Sequence, residues 1–277
     1  MRQTIASLER KIKVAGDLQT VVHTMNAMAA SNIGQYDKSK KSLSDYYRNV
    51  ELSLGLCFRE ISIKSITNDL ISLKKDSTSK KSGVVVFGSD QGLVGQFNNI
   101  ITEYTVKTLN NLPGNHRVWS VGDRVQGHLL DAGLELGGTF DLPNSVKAIT
   151  PLVGQILVET LGYDTESNFD ELYLIYNHIT AGAAYESTSM KLFPIDKTWR
   201  SNLTQQDWPT QNLPEVIGME KAMGLPTFKA LIQEYLFVSV FRACTESLAS
   251  ENASRLRQTS INEELFDVIS GFEALSK

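Results

Sequence analysis

The segment from Gly88 to Gly95 carries the residue types and spacing in this chain that come nearest to a chemical site. It follows a β-branched run and precedes a helical stretch, where free backbone N–H groups could hold a phosphate. The segment has no Gly-Lys-Ser/Thr ending, and its glycines do not fit the G-x-G-x-x-G pattern. It is therefore not a phosphate-loop signature.

The same segment contains Gly88-x-Asp90-x-Gly92, which could be a nucleophile elbow carrying an aspartate. The general base would then be one of three histidines: His116, His128 or His178. Two glycines that merely permit a tight turn between strand and helix explain these residues with fewer assumptions. An enzyme with Asp90 at its active turn remains the alternative function.

Metal and cofactor chemistry has little support in the sequence. The four histidines show neither H-E-x-x-H nor another ligand spacing, so we expect no metal site and no cofactor. Cys57 and Cys244 are too few and too far apart for a disulfide framework, which indicates a reducing compartment.

Charge and hydropathy exclude two further classes of function. A formal net charge of -4 provides no general attraction for a phosphate backbone, so nucleic acid is not an expected partner. The N-terminus has no apolar signal region, and Arg242 interrupts the most apolar stretch. We therefore expect no membrane span and no export.

Residues 1–64 are predicted to form one long helix. Apolar residues recur in alternating steps of three and four, and no proline precedes Pro113. The polar members Gln19, Asn26 and Lys40 either set the register against a partner helix or are simply tolerated. The full series of seam positions is Ile5, Leu8, Ile12, Ala15, Gln19, Val22, Asn26, Ala29, Ile33, Tyr36, Lys40, Leu43, Tyr47, Val50, Leu54, Cys57 and Ile61.

Residues 83–195 alternate between strand-like and helical patterns, which predicts a Rossmann-like α/β domain with a mainly parallel sheet. Two strand-like runs at its end predict a terminal hairpin. The predicted strands are 83–87, 117–121, 134–140, 171–178 and 185–193, and the predicted helices are 97–111, 124–130 and 146–161.

The polar, proline-containing stretch 196–226 is predicted to be a connecting segment. Residues 227–277 then form a second long helix, with Thr227 as N-cap. Two long helices at opposite ends of the sequence predict an antiparallel coiled coil, with the α/β domain attached at one end.

The second helix changes the phase of its apolar stripe near residues 256–258. Ile261 and Val268 belong to one stripe, whereas Leu248 and Leu256 belong to another. Such a change indicates an interrupted helix, a change of packing face, or lost sequence. We expect two separate helical pieces, with Leu256 and Arg257 far apart in space although they are consecutive in sequence.

Three segments make the chain resemble the gamma subunit of the F-type ATP synthase, the central rotor shaft. They are 18–33 (LQTVVHTMNAMAASNI), 88–98 (GSDQGLVGQFN) and 249–275 (ASENASRLRQTSINEELFDVISGFEAL). The resemblance covers nearly the whole chain. It implies that the first and last segments form the shaft and that the α/β domain forms a foot.

The resemblance also implies residues that contact partners, although from the sequence alone Met25 and Met28 could equally be core. Met25 and Met28 match the segment that runs past the catalytic beta subunits, and Arg257-Gln258 match a pair that hydrogen-bonds a beta loop. The family normally has several more helical turns before that pair, so roughly two dozen residues are absent here. The expected bearing tip supplies Ile261, Glu264, Val268 and Ile269.

The function that the resemblance implies is that of a non-catalytic rotor. The chain would couple ion flow, such as proton transport, through a membrane c-ring to ATP synthesis or hydrolysis on surrounding alpha and beta subunits. An epsilon subunit is a further expected partner, and the catalytic sites are expected on the beta subunits. The expected location is peripheral, on the cytoplasmic face of a bacterial inner membrane, as part of the CF(1)-type complex.

Overall fold

A computed structural model describes residues 5–60, 80–161, 169–180, 184–195, 197–212 and 224–275. Two long helices form most of the chain outside the sheet region. Helix α1 runs Ile5–Glu60 over 56 residues, and the last helix, α6, runs Gly224–Leu275 over 52 residues. At 1.5 Å per residue these helices are about 84 and 78 Å long.

Between the long helices lies a five-stranded α/β unit. Its strands are β1 Lys81–Phe87, β2 Asn115–Val121, β3 Leu136–Phe140, β4 Glu171–Ile179 and β5 Tyr185–Phe193. Its helices are α2 Phe97–Asn111, α3 Asp123–Asp131 and α4 Val146–Leu161, and a fourth helix, α5 Lys197–Gln205, follows the sheet. No helix within the described parts is long and apolar enough to cross a lipid bilayer.

The strand order is β3-β2-β1-β4-β5. Neighbouring strands are parallel except for the antiparallel pair β4–β5, so the predicted mainly parallel sheet with a terminal antiparallel pair is confirmed. The residues 181–183, on which the predicted turn of the hairpin falls, lie outside the described part of the chain.

The two faces of the sheet bury different partners because successive side chains of a strand point to opposite sides. Val84 and Val86 pack with α2 and α3 on one face. Val85 and Phe87 pack on the other face with α4 and with buried residues of α1 and α6. The second face therefore ties the sheet to the two long helices in one continuous core.

The structure adds a helix to the predicted connecting segment and moves the predicted start of the last helix. The connecting stretch 196–226 contains helix α5. Helix α6 begins at Gly224, so Thr227 is not its N-cap and Pro226 lies in the first turn. Proline is tolerated there because the first N–H groups of a helix have no intrahelical partner.

The two-piece prediction for the last helix is also wrong. Helix α6 continues through Leu256 and Arg257 without interruption. The hydroxyl oxygen of Thr259 lies 3.2 Å from the Arg255 carbonyl, one helical turn across the expected junction. The change of apolar phase therefore reflects a change of packing face: residues 243–252 are buried, whereas Ile261 and Val268 are 49% and 69% exposed.

Candidate functional site

Helices α1 and α6 pack against each other in antiparallel orientation. Tyr46 donates a hydrogen bond to Glu234 at 2.8 Å, and Thr259 donates one to Asn26 at 3.0 Å. Moving back along α1 therefore means moving forward along α6. The ring pairs Phe58–Phe228 and Tyr47–Tyr235, with centroids 5.4 and 5.9 Å apart, follow the same register.

Two polar positions of the α1 seam contact α6 directly. Asn26 accepts the hydrogen bond from Thr259, and the Lys40 ammonium lies 3.5 Å from a carboxylate oxygen of Glu246. Both polar side chains therefore face α6 and pair with polar groups there. The third such position, Gln19, has a side chain outside the described set.

A row of serine hydroxyls anchors α6 to the end of the sheet. Ser247 donates to the carbonyl of Phe87 at 3.4 Å, Ser250 to that of Asn177 at 3.1 Å, and Ser254 to that of Val94 at 2.7 Å. All three serines are buried. They lie at intervals of three and four residues, which places them on one face of the helix. Helix α6 therefore lies against the carboxyl ends of β1 and β4.

This location has a consequence for ligand binding. In open α/β sheets a ligand crevice forms outside the carboxyl ends of the strands, where the strand order reverses. Here that point lies between β1 and β4, since β2 and β4 flank β1 on opposite sides. The serine face of α6 contacts the chain at this point, so the protein's own helix occupies the crevice.

The turn after β1 is satisfied by its own hydrogen bonds. The Asp90 carboxylate accepts a hydrogen bond from the Asp123 N–H at 3.0 Å, and the Ser89 carbonyl accepts one from Arg124 N–H at 2.9 Å. Asp90 thus caps the N-terminus of α3. No hydrogen bond joins Asp90 to a histidine within the described part of the chain. Burial raises the Asp90 pKa, and the Asp123 N–H opposes that shift.

Gly88 has a packing role that the sequence could not reveal. A Cβ atom at this position would lie 2.2 Å from the Cβ of Val125 on α3. The close approach of strand and helix therefore requires glycine, which supports the simpler interpretation of the Gly88–Gly92 spacing.

A buried carboxylate lies next to the serine row. Glu251 is 4% exposed and pairs with Arg255 at 2.8 Å. Burial raises its pKa to about 7, against the opposing effect of Arg255, and the charge of Asp90 raises it further. Tyr36 of α1 is 2% exposed, and its pKa is raised to about 12 by burial first and then by Cys244 and Glu251. The carboxyl group of Glu251 therefore lies where α1, α6 and the sheet meet.

The helix pair projects only a short distance beyond the sheet. The 21 residues from Ser254 to Leu275 rise about 31 Å. The Thr259–Asn26 contact places Leu275 level with roughly residue 10 of α1, since both helices rise equally per residue. Helix α6 therefore has no long overhang beyond α1.

The residues that we expected to contact partners fall along this projecting part. Met28, Ile261 and Val268 are 61%, 49% and 69% exposed, and Arg257 and Glu264 are also exposed. Met25 and Gln258 are half-buried, and the side chain of Ile269 lies outside the described set. For Met28, the exposure argues against the core interpretation.

Arg257 and Gln258 lie beside the α/β unit and not at the far tip. Both line a cavity of about 580 Å³ together with Leu93, Gly95 and Tyr185. Leu93 adopts φ 62°, a left-handed conformation that is rare for leucine, and its side chain is 58% exposed. The sequence did not single out Leu93, because leucine rarely adopts a positive φ and no neighbouring residue indicates one.

The fold defines a protein of two long antiparallel helices anchored to the carboxyl edge of a five-stranded α/β unit. Within the described part of the chain, its own last helix lies where a ligand crevice would form. A family model described as ATP synthase matches residues 4–256. The chain belongs to this family, and the curated relatives that it matches are named ATP synthase gamma chains. The matched region ends at Leu256, where the apolar phase changes.

Curated relatives span nearly the full length. The ATP synthase gamma chain of Acetivibrio thermocellus is 21% identical, with 98% of this chain and 99% of the relative covered. The gamma chain of Dictyoglomus thermophilum is 24% identical, with 99% and 98% covered. The alignment with the first extends over 297 positions, more than the 277 residues of this chain. This chain therefore lacks residues that the relative has.

A solved structure shares the fold. The central stalk and c-ring structure of the Tetrahymena thermophila mitochondrial ATP synthase contains a chain that is 21% identical, with a TM-score of 0.51. The superposition covers 88% of this chain and 99% of that one.

Proposed function

We propose that this chain is the rotor of a rotary ATP synthase whose catalytic sites lie on surrounding beta subunits. The α1–α6 pair would form a coiled-coil shaft inside a ring of alpha and beta subunits. The α/β unit, residues 83–195, would be the foot that docks on an epsilon subunit and a membrane c-ring. The complex would be attached to the cytoplasmic face of a bacterial inner membrane.

The observation that carries this proposal is the exposed apolar surface on the projecting helices. Met28, Ile261 and Val268 are large apolar side chains on a part of the protein that lies beyond the sheet. Exposed apolar surface of this kind is typical of a region that binds another protein. Because the chain belongs to the ATP synthase family, the partner that we propose for this surface is the alpha–beta ring.

Asymmetry would supply the mechanism of the rotor. A shaft built from two unequal helices presents different side chains in each direction, so each beta subunit meets a different surface at any angle. Each nucleotide site then has a different free energy, and rotation exchanges these differences among the sites. The foot, fixed to the shaft through the serine row of α6, would carry the turning force from the membrane ring.

The short projection of the shaft sets an expectation for coupling. Arg257 and Gln258 line a cavity together with Leu93 and Gly95 of the α/β unit. In the assembled rotor they would therefore lie several turns short of the beta loop that they are expected to bind. We expect ATP hydrolysis by the assembled complex to be weakly coupled to rotation. Ala substitution of both residues should then change the hydrolysis rate less than substitution of Met28 and Val268.

Co-purification provides the decisive experiment. Tagged chain expressed with its companion subunits should retain a stoichiometric ring of larger nucleotide-binding subunits, and a fluorescent bead on the foot should rotate on ATP addition. A chain that purifies without such a ring, or that hydrolyses a small substrate alone and loses this activity on Asp90→Asn, would refute the rotor proposal.

A further inference from the structure

Helix α5, which no periodic pattern in the sequence indicates, contacts both long helices at the same level. Leu203 of α5 is 2% exposed and belongs to the core shared by α1, α6 and the sheet. The ring of Trp199 lies 4.7 Å from that of Tyr235 on α6. The indole N–H of Trp199 donates to the Glu51 carboxylate on α1 at 3.2 Å. One side chain of α5 thus joins the two long helices.

The C-terminal end of α5 is held by α1. The Arg59 guanidinium donates from Nε to the carbonyl of Thr204 at 2.6 Å, and from Nη2 to the carbonyl of Gln206. The last carbonyls of a helix have no intrahelical partner, and a cation near them is favourable. Arg59 therefore satisfies the exposed end of α5 and fixes its position along α1.

The approach of α5 to α1 depends on a glycine. A Cβ atom at Gly55 would lie 2.5 Å from the Leu203 carbonyl oxygen, which is backbone and cannot turn away as a side chain could. Glycine in the middle of a helix is otherwise unfavourable. The contact with α5 gives a reason for Gly55 that the helix itself does not.

We propose that α5 is a clasp that fastens α1 to α6 near the sheet, so that the two long helices move as one body. The clasp consists of Trp199, Leu203 and the α5 C-terminus, and it closes on Glu51, Gly55 and Arg59 of α1 and on Tyr235 of α6. Fastening is a property of the isolated chain. Its use in passing twist from the foot to the shaft rests on the proposed rotor function.

A cavity lies beside the clasp. Its volume is about 710 Å³, and it is lined by Tyr47, Glu51 and Arg242 of the long helices and by Gln206 and Asp207 after α5. The clasp therefore packs against the long helices next to a cavity that Glu51, one of its own partners, also lines.

Hydrogen exchange of the full-length chain tests the clasp. Gly55→Ala should displace α5, so the amides of residues 198–205 should exchange about tenfold faster or more. Amides of residues 228–241 in α6 should also lose protection, whereas residues 84–87 in β1 should not. Gly34→Ala is the matched control. Gly34 lies on the same helix as Gly55, and a Cβ there meets nothing within 4 Å.

A second variant keeps the test independent of the glycine. Trp199→Phe removes the hydrogen bond to Glu51 while keeping a ring against Tyr235, and it should produce a smaller loss of protection in the same two segments. Unchanged exchange of residues 198–205 in Gly55→Ala would overturn the proposal. Faster exchange of α5 with α6 fully protected would also overturn it, since α5 would then fasten nothing. Neither result depends on whether the chain assembles into a rotor.

Discussion

Ser250 on α6 and Asn177 on β4 are 73 residues apart in sequence, and the serine hydroxyl lies 3.1 Å from the asparagine carbonyl. The same hydroxyl lies 2.8 Å from the carbonyl of Glu246 one turn earlier. Both residues are fully buried. This contact is the central member of the serine row. Substitution of Ser250 therefore tests how much the row contributes to the attachment of the long helix to the sheet.

We expect Ser250→Ala to lower the free energy of unfolding by about 1 kcal/mol, because a buried hydrogen bond is lost. Ser250→Val should cost more, since the added methyl groups have no space between helix and strand. Chemical denaturation followed by circular dichroism measures both effects. Ser260→Ala, at an exposed position of the same helix, is the control. Equal stability of the Ser250 and Ser260 variants would contradict the assigned role.

Glu251 makes stability depend on pH. Its pKa is about 7 in the folded chain and about 4.3 in an unfolded one, so the folded state holds the proton more tightly. The resulting stability is fully present below pH 4.3 and is lost as pH rises through 7. The loss should approach about 4 kcal/mol by pH 8.

Glu251→Gln removes this titration, so its unfolding free energy should exceed that of the parent chain at pH 8 and approach it near pH 5. Denaturant titrations at several pH values provide the comparison. Glu263→Gln, an exposed carboxylate on the same helix, should leave the pH profile of the parent unchanged. Parallel profiles for the parent and the Glu251 variant would show that the buried carboxyl does not titrate in this range.

Substitutions of Gly88 and Gly92 distinguish a packing role of this turn from a catalytic role. Gly88→Ala forces a Cβ to within 2.2 Å of Val125 and should destabilise the chain by about 1–3 kcal/mol. Gly92→Ala meets nothing within 4 Å and should be close to neutral. Thermal unfolding distinguishes the two. A large loss at Gly92 would point to a role of the turn beyond packing.

The exposed apolar side chains of the projecting helices should make the isolated chain self-associate. Met28→Lys combined with Val268→Lys should shift the sedimentation profile towards monomer. Val158→Lys is the matched control, because Val158 is 73% exposed but lies on α4 of the α/β unit. A monomeric parent chain at high concentration, or an equal effect of the control, would argue against a binding surface on the helix pair.

The sequence by itself determined the elements whose signals are local. The step of three and four in α1 predicted the buried positions Ala29, Tyr36, Val50, Leu54 and Cys57, all of which lie in the core. The β-branched run at Val84–Val86 and the helices 97–111 and 146–161 were likewise predicted, the two helices with correct ends. Hydrophobic periodicity and β-branching are local in sequence, because they extend over a few helical turns or a single strand. They can therefore be recognised without knowledge of the fold.

Tertiary structure decided the rest. The polar sequence around Trp199 is too short for a clear period, and α5 forms because Leu203 and Trp199 find partners on both long helices. The phase change near Leu256 indicated a break, but the helix continues because its surroundings change there, from α1 and the sheet to open surface. Ser247, Ser250 and Ser254 look like an ordinary polar face in the sequence. They are buried donors because α6 lies at the strand ends. A serine can be buried there because a backbone carbonyl lies within hydrogen-bond distance of its hydroxyl.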